Sequence, residues 1–358
     1  MRKVTIPLIT CLLLTLHTLM AQINVPSLEA ENVSDLNFLG SQDCKSVYCK
    51  PGVRNRSQSR GLVFRYERQG GFNWSMNNAQ LEGTEQRVRF LEQLTFKFKV
   101  PVINQPSFKF LLGYEWDSEK YFFDNLDPIR EGVPPTMWQL LNERRLKSTK
   151  LSAYASKSWD DKFYSTFRIR LSLNGDYDGL LDFGEDYRTY SAGAGFGKKV
   201  SEDEEWGVGI TFSTNKARTV VIPFFLYNKT WNDRWGLESA LPAQVFLRHN
   251  INGDIRNALL IGAKFDSRFY AINSLGDAGR YENLDRFFLR NNGIRTQIHY
   301  EHNLGSWFWL YAQGGMMIPV NARFNALSDV NRDLQTQMGA RPFFRIGVFV
   351  APPKELIR

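Results

Sequence analysis

Beyond Ala21 the chain has no apolar run long enough to cross a bilayer as a helix, which takes about 20 consecutive apolar residues. The longest later candidate, residues 307–320, is too short and is broken by Gln313, Gly314 and Gly315. A membrane-embedded form must therefore cross with strands. In hydrocarbon, strands survive only as a closed barrel, where every backbone N–H and C=O has a partner. Cysteine is nearly absent: three residues, one of them (Cys11) inside the leading apolar stretch. The other two, Cys44 and Cys49, are expected to form a local disulfide in an oxidising compartment, two free thiols being the alternative. Histidine is as scarce, with four residues. His249, His299 and His302 lie far from the cysteines in sequence, so no metal site is expected. There is no Gly-rich phosphate loop, no His-x-x-x-His pair and no serine elbow. The sequence implies no catalytic residue and no cofactor.

What is present begins with a targeting segment. Arg2 and Lys3 precede an apolar stretch over residues 4–20, and Ala21 before Gln22 suits cleavage of a signal peptide spanning 1–21. A retained N-terminal anchor is the second reading. Cys11 sits inside the stretch, the wrong place for a lipoprotein attachment site. Residues 22–58 are polar and weakly periodic, and are expected to form a periplasmic N-terminal segment, as a plug or an extension. Residues 59–352 contain no Gly/Ser/Pro linker and read as one domain, with residues 353–358 as a tail. The formal net charge is +8 and the sequence pI about 9.3. The bases do not run in clusters. They alternate with apolar residues, which argues for a lumen lining and against nucleic acid.

Alternation with period two recurs through the domain. Over residues 87–100, Val88, Phe90, Leu94, Phe96, Phe98 and Val100 share one parity, and Arg87, Arg89, Gln93, Thr95, Lys97 and Lys99 the other. Only a strand puts such sets on opposite faces. Leu91 and Glu92 break the pattern, as a local bulge would. The same signature recurs at 108–116, 163–174, 206–213, 259–270 and 294–301. A Lys or Arg on the lipid face costs roughly 2–4 kcal/mol at mid-bilayer, so the charged parity is assigned to the lumen. The lumen-lining bases are then Arg87, Arg89, Lys97, Lys99, Lys109, Arg168, Arg170, Lys264, Arg268 and Arg295, faced by acidic Glu115, Asp266 and Glu301. Trp116, Trp159, Trp206, Trp231, Trp235, Trp307 and Trp309 fall near predicted strand ends, where interface anchors belong.

Short polar connections (160–162, 201–205, 303–306) alternate with long ones (117–148, 175–186, 273–285, 321–341). Outer-membrane barrels show this asymmetry, with the short turns on the periplasmic side. Within the longest loop, residues 136–145 show helical spacing after Pro134 and Pro135 and predict one or two helical turns. Residues 325–334 predict a second small helix. Read as one strand, residues 235–250 would make the strand total odd. A break at Leu241-Pro242 restores even parity, since proline donates nothing to a ladder. The expected fold is an all-β, antiparallel up-and-down transmembrane barrel of roughly 12–14 strands.

The stretch Trp235-Gly-Leu-Glu-Ser-Ala-Leu-Pro242, then a strand, a turn at 250–254 and a second strand ending at Tyr270, resembles a bacterial outer-membrane β-barrel family of unassigned function. The final strand, Arg341-Pro-Phe-Phe-Arg-Ile-Gly-Val-Phe-Val-Ala-Pro352, resembles the way that family closes. The chain departs from the commonest barrel ending, a terminal aromatic, because residues 353–358 follow. The resemblance covers most of the chain after the signal peptide. It implies fold and outer-membrane location, and brings no catalytic residues.

A charged lumen fits three functions. The first is a passive channel for small solutes, anions in particular, since rings of Arg or Lys set pore selectivity. The second is a closed structural or binding barrel, its charges paired and its loop 117–148 contacting partners outside. The third is a lipid-modifying enzyme built on His299 and Glu301, which share a parity, with His302 on the other. No nucleophile falls beside that pair by spacing, so a lumen hydrogen-bond network is the preferred reading and the chain is read as a non-enzyme. A secreted soluble β-sandwich would show the same alternation. Expected partners are outer-membrane lipid and small solutes, and oligomeric state is left open.

Overall fold

The computed structural model describes residues 51–77, 85–131, 136–216, 218–273, 286–326 and 333–351. Cys44, Cys49 and the signal segment lie outside them, as do residues 353–358. From the N-terminal side, the strand segments are β1 (Leu62–Gln69), β2 (Phe72–Asn77), β3 (Glu85–Asn104), β4 (Phe108–Phe123), β5 (Leu146–Ser158), β6 (Phe163–Gly175), β7 (Arg188–Ser201) and β8 (Glu204–Asn215). They continue as β9 (Arg218–Thr230), β10 (Trp235–Leu241), β11 (Gln244–Asn250), β12 (Asn257–Asn273), β13 (Arg286–Gly305), β14 (Phe308–Ala326), β15 (Asp333–Met338) and β16 (Arg341–Val350). One helix, α1 (Met137–Glu143), lies in the β4–β5 loop. No helix among the described residues is long and apolar enough to cross a membrane.

All the segments belong to one sheet, and the sheet closes because β1 pairs with β16 on one side and β3 on the other. β1 and β2 are two arms of one strand broken at Gly70-Gly71. β15 and β16 are two arms of another, broken at residues 339–340. The result is a closed antiparallel barrel of 14 strands, which rules out a sandwich of two sheets. The even count rests on β10 and β11, a short hairpin that reverses at Leu241-Pro242, a cis peptide bond. Six short connections, each of two to six residues, define a turn end, where β1 begins and β16 finishes. In one of them Asp160 accepts the backbone N–H groups of Lys162 and Phe163 at 2.7 and 2.6 Å, which holds its carboxyl below the usual range. The opposite, loop end carries the long connections, together with the two-residue β8–β9 link and the six-residue β14–β15 link.

Outward residues are apolar around the ring. Phe64, Phe98, Leu112, Leu151, Ile169, Phe196, Ile210, Val221, Ile261, Ile298 and Ile346 all stand exposed. Outward charges sit at the margins: Lys157, Lys198, Glu204 and Lys229 toward the turn end, Arg87, Arg89 and Lys120 toward the loop end. Trp159, Trp231, Trp235 and Trp307 are exposed at the turn end. Trp309, expected among them, instead points inward and is 5% exposed, stacked on Phe349 with ring centroids 5.5 Å apart.

Toward the loop end the wall bends. β3 has a bulge between Val88 and Phe90, and β14 carries an extra residue between Pro319 and Asn321. β1/β2 and β15/β16 break beside them. A Cβ on Gly70 would lie 2.9 Å from the Pro342 ring and one on Gly71 3.0 Å from the Arg89 carbonyl, so this corner admits only glycine without movement. Each irregularity flips the parity, so that Val88, Trp74, Phe324 and Met338 turn inward and build an apolar core inside the barrel. Helix α1 plugs that core. Thr136 and Gln139 form a capping box at its start, and Met137, Trp138, Leu140 and Leu141 are buried. Trp74 meets Trp138 edge-on at 5.1 Å and stacks on Phe324 at 5.7 Å. The second small helix expected at 325–334 does not form at its flanks, which are strand. Residues 327–332 lie outside the described set.

A second irregularity lies above the β10–β11 hairpin, which is shorter than its neighbours. There β12 leaves the line of the wall. Its outward-parity Phe265 packs on inward Phe224, Leu226 and Ala240, and Ala271 pairs in parallel with Gly175 of β6.

Candidate functional site

Below the apolar plug the lumen is crossed by a charged layer. Glu67 of β1 accepts from Arg295 Nη1 at 2.8 Å and from Arg345 Nε at 2.6 Å. Arg295 Nη2 reaches Asp266 at 2.5 Å, and Arg268 joins Asp266 to Glu119. On the facing wall, Glu115 pairs with Lys97 at 2.8 Å and Lys150 at 3.1 Å, and Asp117 lies 3.5 Å from Lys150 and 3.6 Å from Arg65. Glu67, Arg295 and Arg345 are all at most 3% exposed. A buried carboxylate is tolerated only when paired and hydrogen-bonded, and these are. Between the two walls, among the described residues, lies a small void of about 40 Å³ beside Gln93, Asn174 and Tyr270.

Residues 51–61 do not hang outside the barrel. They cross the lumen at the turn end as a strap held by wall carboxylates. Gly52 N donates to Glu205 at 2.5 Å, Ser57 N and Oγ donate to Glu238 at 3.1 and 3.0 Å, and Arg60 pairs with Glu301. Arg56 lies 3.5 Å from Glu238, which also holds Arg248 at 3.1 Å. The expected domain boundary at residue 58 therefore cuts a segment that is part of the lumen, and the first strand begins at Leu62. The turn end is packed closely too. A Cβ on Gly209 would lie 2.2 Å from the Phe224 ring, so the glycines of β7 and β8 leave room for inward aromatic rings. Above the strap lies a cavity of about 230 Å³, lined by charged and amide side chains together with Val63, Phe246 and Leu260.

The predicted lumen residues divide. Lys97, Glu115, Asp266, Arg268, Arg295 and Glu301 meet in the pairs above. Lys99 faces the cavity with its Nζ 4.9 Å from the Tyr154 ring, and Lys264 lines the same space. Lys109 shares the inward parity of Glu115. Arg168 and Arg170 are buried, and Arg170 Nε donates to Ser152 at 3.0 Å. Arg87 and Arg89 do not belong. The bulge at Val88–Phe90 turns them outward, where Arg87 lies 3.7 Å from Asp124 and Arg89 stands 5.6 Å from the Phe90 ring centre. Leu91 and Glu92, which broke the alternation, are the signature of that bulge.

Sequence reasoning missed Arg65, Glu67, Asp117, Lys150, Arg345 and the strap arginines. The first two stand on one parity of β1 and Arg345 on the inward parity of β16, so alternation could have found them. The strap has no periodicity to betray it.

His299 is 3.2 Å from Glu301 and 3.3 Å from Arg60, inside the lumen. Among the described residues no hydroxyl hydrogen-bonds to it. His302 faces outward, its Nδ1 2.6 Å from Asn257 Oδ1. No group of His, Cys, Asp and Glu among the described residues could hold a metal ion.

No family model and no curated protein matches the chain. Solved structures with a similar trace are outer-membrane barrels. A FadL homologue of Pseudomonas aeruginosa is 8% identical with a TM-score of 0.38, over 81% of this chain and 90% of that one. The toluene transporter TodX of Pseudomonas putida is 10% identical with a TM-score of 0.34, over 80% and 88%. Outer membrane phospholipase A of Escherichia coli is 10% identical with a TM-score of 0.32, over 82% and 97%. At such identities and scores these likenesses carry no argument about transport or hydrolysis.

Proposed function

We propose that this chain is a bacterial outer-membrane barrel, closed to free diffusion, that acts as a binding or structural element with its turn end in the periplasm. Membrane insertion is supported by the continuous apolar belt, since a soluble protein rarely exposes an apolar patch beyond a few hundred Å². It is supported also by the tryptophans at the turn end and by the absence of a sheet edge where β1 meets β16. Orientation follows from the short connections. The observation that carries closure is the stacking of two seals, the apolar plug around Trp74 and Trp138 over the Glu67–Arg295–Arg345 layer. An anion channel needs its Arg and Lys lining to face water. Here, in the layer that crosses the lumen, Lys97, Lys150, Arg268, Arg295 and Arg345 are paired with carboxylates. His299 serves in the reading as part of the lumen network, with no catalytic step assigned.

Planar-bilayer recording on the refolded chain tests this reading. Folded, inserted protein is expected to give no conductance steps. Stable steps with anion preference would replace the closed barrel by the channel.

A further inference from the structure

The cavity of about 230 Å³ above the strap is bordered by seven cationic side chains, Arg56, Arg60, Arg65, Lys97, Lys99, Lys264 and Arg345, and by two carboxylates, Glu238 and Glu301. Behind this lining, Glu67, Glu115, Asp117 and Glu205 pair with Arg345, Lys97, Arg65 and Arg56. The lining itself thus holds more cationic groups than carboxylates. The cations come from the strap and from β1, β3, β12 and β16, so they converge on the space from several sides. Ser57, Gln58 and Ser59 of the strap, with Gln244, Gln297 and Gln313, add neutral hydrogen-bonding groups. Gln297 is 7% exposed, and its Oε1 is buried without a hydrogen-bond partner, as is Arg56 Nη1.

We propose that this cavity binds a small, doubly charged oxyanion of the phosphate class, taken up from the turn end past the half-exposed strap residues Ser57–Ser59. Its volume of about 230 Å³ suits inorganic phosphate or a compact phosphomonoester. Arginine forks and lysine ammoniums together suit an oxyanion with several acceptor oxygens, better than a monocarboxylate with two. The site deepens the binding reading of the closed barrel, yet it does not need the lumen to be sealed, so a conductance result and a binding result fail separately.

Calorimetric titration of the full refolded chain at low ionic strength tests it, with inorganic phosphate, a hexose monophosphate and acetate as probes. Saturable phosphate binding is expected, with acetate at least tenfold weaker, as a charge-rich site predicts. The double variant Lys99→Gln/Lys264→Gln should weaken phosphate by roughly tenfold or more, and Lys157→Gln, on the outer wall, should leave it unchanged. If the double variant does not fold, Gln297→Glu, which places a carboxylate in the cavity, should give the same loss. Tighter binding of the hexose phosphate assigns a phosphomonoester, and tighter binding of inorganic phosphate assigns the free ion. Absence of saturable phosphate binding, acetate binding as tightly, or variants that bind like the parent would each overturn the site.

Discussion

The two halves of the lumen are filled by opposite chemistry. At the loop end Trp74, Trp138, Phe324 and Leu91 pack as a soluble core does. At the turn end the same strands present Arg65, Lys97, Arg295 and Arg345, with carboxylates and a polar strap between them. The change happens at one height, where β3 and β14 bulge and β1/β2 and β15/β16 break. Above it the wall leans in, and a helix from the longest loop fills what space is left. Below it the barrel keeps its width, and charged groups must neutralise one another. A barrel can thus be plugged by its own wall once a few bulges reverse the parity, without a separate plug domain.

Substitutions should separate these halves. The largest effect is expected at Glu67, which holds Arg295 and Arg345 in the charged layer. Glu67→Ala leaves buried guanidinium groups short of charge and should cost about 3 kcal/mol, read from urea unfolding in lipid vesicles. A loss below 1 kcal/mol would mean that water already enters the layer and that the halves differ less than drawn. In the apolar half, Thr136→Ala removes the capping box of α1 and should cost about 1 kcal/mol in the same assay. No change would show that tertiary packing alone seats the helix. The smallest effect belongs to Arg89, outside both halves. Arg89→Gln should shift stability by no more than about 0.5 kcal/mol. A loss like that of Glu67→Ala would return Arg89 to the lumen and remove the bulge from the account.

Much of this was legible in the sequence. Alternation in β3, β6, β12 and β13 identified strands and their inward bases, because a period of two has one physical meaning. Even parity placed the reversal at Leu241-Pro242. The helical spacing after Thr136 located α1. The failures share a cause. Arg87 and Arg89 were carried inward by extending a parity through a bulge, and the two discordant residues, Leu91 and Glu92, mark where it should have stopped. Trp309 near a turn looked like an interface anchor, yet it faces the lumen because parity outranks position along a strand.

By itself the sequence determined an all-β barrel with apolar residues outward and charge inward, since lipid penalises the reverse register and alternation is a local property. Only the tertiary structure decided whether the inward charges line water or one another. That depends on the register in which neighbouring strands pair, as Glu67 does with Arg345 across β1 and β16, on contacts across the lumen such as Arg268 with Glu119, and on a strap that follows no period. The pairing of Glu67 with Arg295 and Arg345 joins residues more than 200 positions apart, and no spacing rule reaches that far.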